Sequence, residues 1–179
     1  MSQNNVASAY AEAVFELAEE SDCLDDICYE LSTIAEIFSS NPELTQLLTL
    51  PTLSKEERIS VLQQVFSKTS GMLLDFLCLL TERGRINYIC EIEKVFRKLY
   101  NQKNNIEEVT VTTGVELTED ERLRLTVKLQ NKLNKRIKLI EKINKDIIGG
   151  VQLKYGDTLI DNSISSRIGS IAKELKDND

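Results

Sequence analysis

The spacing of apolar residues changes once along this chain, at a polar stretch, Asn101-Gln102-Lys103-Asn104-Asn105. Before it, apolar residues recur at the three- and four-residue spacing of helices. After it, short runs alternate with the two-residue period of strands. Such a chain calls for an all-helical first part and a mixed second part, each with its own core. The polar stretch is therefore read as the boundary between a helical bundle, residues 1–105, and a small α+β domain, residues 106–179. A length of 179 residues accommodates two small domains, and 41% hydrophobic residues suffice to pack them. The expected fold class is α+β, mostly α.

The first part reads as six helices. Val6, Ala9, Tyr10, Ala13, Val14, Leu17 and Ala18 mark the first, whose alanines would let another helix approach closely. Leu24, Ile27, Leu31, Ile34 and Phe38 mark the second. Pro42 opens a short third helix and Pro51 stops it. Ser54 and Glu57 form a capping box for the fourth, with Ile59, Leu62, Val65 and Phe66 behind it. Ser70 is expected to cap the fifth, which is apolar nearly all round through Met72, Leu73, Leu74, Phe76, Leu77, Leu79 and Leu80. A helix of that kind is either the centre of a bundle or carries a second face for a partner. Glu82-Arg83-Gly84-Arg85 breaks the pattern, and Ile86 to Tyr100 resumes it as the sixth helix.

In the second part, Glu107 to Thr113 alternates as a strand. Thr118 and Glu121 form another capping box, opening a helix with Leu123, Leu125, Val127, Leu129 and Leu133. Arg136 to Ile143 alternates again, and Asn144-Lys145-Asp146 reads as a hairpin turn into a strand from Ile147 to Leu153. Gly149-Gly150 interrupts that strand, where a bulge or a close backbone approach is required. Tyr155-Gly156-Asp157 reads as a turn, Thr158-Leu159-Ile160 as a short strand. Asp161 or Ser163 then caps a final amphipathic helix with Ile164, Ile168, Ile171, Ala172 and Leu175 on one face.

Composition narrows the chemistry. There is no histidine, which removes the usual general base and the commonest metal ligand. Cys23, Cys28, Cys78 and Cys90 form no C-x-x-C pair and read as buried, reduced thiols. No glycine-rich phosphate loop occurs, and Asp157 and Asp161 read as turn and cap residues. No cofactor, metal or catalytic residue is expected. No apolar run spans a bilayer and no export signal opens the chain, so it is expected to stay in the cytoplasm and meet a membrane only through a partner.

Charge is unevenly placed. Residues up to Asn105 hold 9 bases and 16 acids, and the ten acids before Lys55 face no base at all. From Ile106 on there are 13 of each, but Arg122 to Lys145 holds nine bases and one acid, Glu141. A basic run suggests nucleic-acid binding, and an RNA-binding regulatory factor is the alternative reading. Against it, the run has no interleaved aromatics and the pI is about 4.9.

Gly149, Gly150, Gly156, Asp157, Asp161 and Ser163 together resemble the C-terminal signature of the delta subunit of F-type ATP synthase. That family is the bacterial relative of the mitochondrial oligomycin-sensitivity-conferring protein. Asn144, Lys145 and Asn162 stand where Asp, Pro and Gly are frequent in it. Tyr10, Ala11, Ala13, Phe15 and Ala18 resemble the family's opening motif, and Arg85 with the helix after it is similar too. The resemblance implies a non-catalytic stator subunit, one copy per complex, at the cytoplasmic face of the bacterial inner membrane. It implies that the helical bundle binds the N-terminal helix of an alpha subunit, atop the alpha and beta subunits, in a groove between its first and fifth helices. Tyr10, Ala13, Leu17, Phe76 and Leu77 are the residues expected there. It further implies that the C-terminal domain holds the C-terminal ends of the b subunits, and that nucleic acid is not a partner.

Overall fold

The computed structural model describes residues 3–163 apart from Pro51 and Ile148. The expected final helix and the Pro51 stop lie outside the described residues. Six α-helices come first: α1 (Gln3–Glu20), α2 (Leu24–Ser40), α3 (Pro42–Thr49), α4 (Lys55–Val65), α5 (Gly71–Glu82) and, after a 3-10 turn at Ile86–Tyr88, α6 (Ile89–Lys103). Then follow β1 (Ile106–Thr113), α7 (Glu119–Leu133), β2 (Arg136–Ile143), β3 (Val151–Tyr155) and β4 (Thr158–Asp161). The chain divides into two compact units, Met1–Tyr100 and Asn101–Asp179. The dividing line falls inside α6, so three residues of the polar stretch are helical and Asn105, with φ +53, makes the exit.

The helical unit closes around Leu31, Leu62, Leu73, Leu77, Ile92 and Phe96, all fully buried. Phe15 meets Phe96 edge-on at 5.6 Å, and Phe38 stacks on Phe66 at 5.7 Å. The buried residues of α1 are Ala7, Ala11, Val14 and Ala18, a stripe rotated from the one its spacing suggests. Small side chains at successive turns let the neighbouring helices come close. One buried charge joins α2 to α6: Glu93 accepts from Arg97 Nε at 2.6 Å and from Ser32 Oγ at 3.2 Å. Those bonds satisfy a carboxylate that would otherwise be costly to bury. The cysteines are half-buried rather than fully buried. Desolvation, with nearby acids, pushes the Cys78 and Cys90 thiols up, away from the reactive thiolate.

Both capping boxes form. Glu57 N–H donates to Ser54 Oγ at 3.2 Å and Ser54 N–H to Glu57 Oε2 at 2.8 Å. Thr118 and Glu121 repeat the exchange at 2.9 and 3.3 Å. Ser70 does not cap α5 through its side chain. Its backbone N–H donates instead to Glu30 Oε2 at 3.0 Å, a carboxylate forty residues earlier on α2.

The second unit is a four-stranded sheet in the order β2-β1-β3-β4. The expected hairpin between β2 and β3 does not exist. β2 runs parallel to β1, from Ile106 opposite Arg136 to Thr113 opposite Ile143, and β3 pairs antiparallel with the other edge of β1. A parallel pair needs a crossover, and α7 supplies it. At the end of β2, Asn144 N–H donates to Thr113 O at 2.8 Å and Ile147 is buried, so residues 144–147 cross the end of β1 instead of turning back. β1 is an interior strand, with Val109 and Val111 fully buried against Leu129 of α7.

Each unit has its own apolar core. We propose that a fragment ending at Asn105 folds alone. It is expected to unfold in one cooperative step in a urea titration followed by circular dichroism, with full helical signal beforehand. A non-cooperative, sloping loss of signal would show that the helical unit depends on the rest of the chain.

Candidate partner-binding surface

The candidate surface is built on α1 and α5. With Ala7, Ala11, Val14 and Ala18 turned inward, a second stripe of α1 is left at the side: Val6, Ala9, Tyr10, Ala13 and Leu17. Ala9 and Ala13 are exposed, and Leu17 keeps 51% of its surface. The apolar content of α1 thus exceeds what one buried face uses. The acids of this helix, Glu12, Glu16, Glu19 and Glu20, are also exposed.

Helix α5 borders this stripe. The Tyr10 and Phe76 rings meet edge-to-face, with centroids 6.2 Å apart at 61°. Phe76 itself is buried, with 7% of its surface exposed, and Leu79, one turn on, leaves 42% of its surface to solvent. Arg85 Nη1 donates to Tyr10 Oη at 2.9 Å. The structure therefore brings Tyr10, Ala13, Leu17 and Phe76 to one side of the helical unit. Leu77 is not with them. It is fully buried in the core, so it supports the surface from behind and cannot touch a partner. Leu79 and Arg85 are the additions. An unbroken apolar run hides the first, and the second is 75 residues from its tyrosine.

The glycine-rich signature has a structural origin. Gly150 has φ +89, and a Cβ there would overlap Asn162 O and lie 2.8 Å from Ser163 Cα. The chain after β4 thus passes directly over Gly150. Asp161 fixes that passage: its Oδ1 accepts from Ser163 N–H at 2.9 Å and its Oδ2 from Gln152 Nε2 at 3.0 Å. The bond from Ser163 N–H holds the Asp161 carboxyl below its usual range. Ser163 is buried. Gly149 is half-buried, and Gly156, with φ +52, leads the two-residue turn between Tyr155 and Thr158, with Asp157 exposed beside it. None of these residues faces another in an acid–base arrangement.

The second unit has its own exposed apolar residues. Leu125, Leu129 and Leu133 of α7 pack on the sheet, while Leu123 (64%) and Val127 (46%) point outward, one turn apart. A cleft of about 920 Å³ opens between the start of α7 and residues 145–151, with Leu117, Leu125, Ile147 and Val151 in its wall. The basic run is partly neutralised. Arg122 pairs with Glu119 and Glu141, Lys135 with Glu107 at 2.7 Å, and Lys138 with Glu108 at 3.2 Å. Those three of the nine bases are less available to a phosphate backbone. Among the described residues no cluster of Cys, Asp or Glu is placed to hold a metal, and no helix is long and apolar enough to cross a membrane.

Comparison with known proteins gives a consistent result. The sequence model of the family "ATP synthase delta (OSCP) subunit" matches residues 6–175. The chain is 33% identical over 173 residues to the sodium-ion-specific ATP synthase subunit delta of Ilyobacter tartaricus, covering 97% of this chain and 99% of that one. It is 36% identical over 167 residues to ATP synthase subunit delta of Clostridium botulinum strain Loch Maree, covering 93% of each. In three dimensions it resembles a chain of the Toxoplasma gondii mitochondrial ATP synthase hexamer, with a TM-score of 0.74 at 18% identity over 94% of this chain and 96% of that one. The last likeness is one of fold. Matches of this extent and identity, together with the built signature around Gly150, show that the chain belongs to the ATP synthase delta (OSCP) subunit family.

Proposed function

We propose that this protein is a non-catalytic stator subunit, tying the catalytic head of an ATP synthase to its peripheral stalk so that the head resists rotor torque. The helical unit takes the N-terminal helix of an alpha subunit along the stripe of α1 beside α5. The second unit holds the C-terminal ends of the b subunits. The observation that carries this reading is the second apolar stripe of α1, with Leu17 half exposed and Tyr10 braced on Phe76. A helix laid in such a groove is held by apolar anchors, each large side chain contributing roughly 1.5–3 kcal/mol when fully covered. Nothing in the reaction of the complex is asked of this chain beyond binding. Its place at the membrane follows from its partners, on the cytoplasmic face.

The RNA-binding reading has less behind it: three of the nine bases of the run, Arg122, Lys135 and Lys138, pair with acids of the same unit, and no aromatic is interleaved among the nine. The test is co-purification from mildly solubilised membranes. A tagged copy is expected to bring down alpha, beta and b subunits in fixed proportion. Recovery of the tagged chain with RNA and without those subunits would reverse the choice.

A further inference from the structure

We propose that Arg85 is a positioning residue of the α1–α5 surface: it holds the Tyr10 ring in place against Phe76, so that the partner helix meets a surface already ordered. The inference rests on the reading that this surface docks a helix. It begins with the end of α5. Gly84 takes φ +64, its N–H donates to Thr81 O at 3.0 Å, and the N–H of Arg85 donates to Leu80 O at 2.7 Å. These are the paired bonds of a Schellman cap, which turns the chain sharply after the last helical residue. The cap fixes the backbone of Arg85 beside α1, and its side chain reaches across to Tyr10.

Two contacts then hold one ring. Arg85 Nη1 donates to the hydroxyl at 2.9 Å, and the edge-to-face contact with Phe76 fixes the ring at 6.2 Å. Arg85 Cζ lies 5.5 Å from the ring centroid, near the outer limit of about 6 Å for a cation–π contact. The hydrogen bond is thus the closer tether. Among the described residues no ion pair joins Arg85 to a carboxylate, although acids outnumber bases in this unit. The guanidinium is committed to the tyrosine. A half-buried tyrosine on a surface helix would otherwise sample several rotamers and lose that freedom on binding. Ordering it beforehand removes that cost from association.

The test is a double-mutant cycle in the full-length chain. The probe is a synthetic peptide of the alpha-subunit N-terminal helix from the same complex, titrated calorimetrically. Arg85→Ala and Tyr10→Phe are each expected to raise Kd about 3- to 10-fold, the cost of ordering one side chain. The double variant should bind no more weakly than Arg85→Ala alone, because both changes cut the same tether. Arg85→Lys should recover part of the loss. An unchanged Kd for a folded Arg85→Ala chain would overturn the inference. So would a double variant whose loss is the product of the two single losses, since Arg85 would then touch the partner directly. A wild-type chain that does not bind the peptide would overturn the docking reading itself, and this inference with it.

Discussion

Replacing Gly150 with alanine is expected to destabilise the second unit by about 3 kcal/mol or more, whereas the same change at Gly156 should cost only about 1 kcal/mol. Both glycines have positive φ, +89 and +52. They differ in what a methyl group would meet. At Gly156 there is nothing within 4 Å, so the cost is that of the backbone conformation alone. At Gly150 the methyl would overlap Asn162 O and meet Ser163 Cα at 2.8 Å, both backbone atoms that no rotamer change can move aside. The chain at residues 162–163 would have to lift, and the bonds of Asp161 to Ser163 and Gln152 would be lost with it. A domain has only about 5–15 kcal/mol in hand, so the loss is a large fraction of the total. Amide exchange at Val109 and Val111, in the centre of the sheet, reports the unit's own stability. Equal acceleration in the two variants would show that the crossing over Gly150 is not what fixes that residue.

Ala13→Trp is expected to leave the helical unit folded and to weaken binding of the alpha-subunit N-terminal helix by about 10- to 100-fold, some 1.4–2.7 kcal/mol. Ala13 is exposed and lies outside the core, so the larger ring displaces no packed neighbour. Surface substitutions of that kind usually change stability by no more than about 0.5 kcal/mol. The same ring sits in the middle of the stripe between Tyr10 and Leu17, where a partner helix must approach closely. Calorimetric titration with the peptide, alongside a thermal melt, separates the two effects. A folded variant with wild-type affinity would remove α1 from the docking surface.

Local signals were the legible part of the sequence. The two capping boxes involve residues three apart, and both form as their spacing predicts. The change of period near Asn105 marks off the helical and mixed halves, and β2 begins and ends where its alternation does. What spacing misses is decided by residues distant in the chain. The Ser70 side chain makes no cap, and the Ser70 N–H goes instead to Glu30 on α2, forty residues away in the chain. The strand after Asp146 pairs with β1 rather than β2, because its predecessor had already taken the parallel edge of β1. In α1 the apolar residues cover two adjacent faces, and period alone does not say which one the core takes. Burial assigns Ala7, Ala11, Val14 and Ala18 to the core and leaves Tyr10, Ala13 and Leu17 outside it. Leu77 illustrates the same limit on α5, whose unbroken apolar run conceals that Leu79 is the outward residue.

The most direct test of the docking surface is a titration of isotope-labelled chain with the alpha-subunit N-terminal peptide, followed by amide and aromatic chemical shifts. The shifts are expected to concentrate on Val6, Tyr10, Ala13 and Leu17 of α1 and on Phe76 and Leu79 of α5, with the sheet unaffected. Saturable binding with the changes confined to the second unit, or no shift at any residue of α1, would contradict the account.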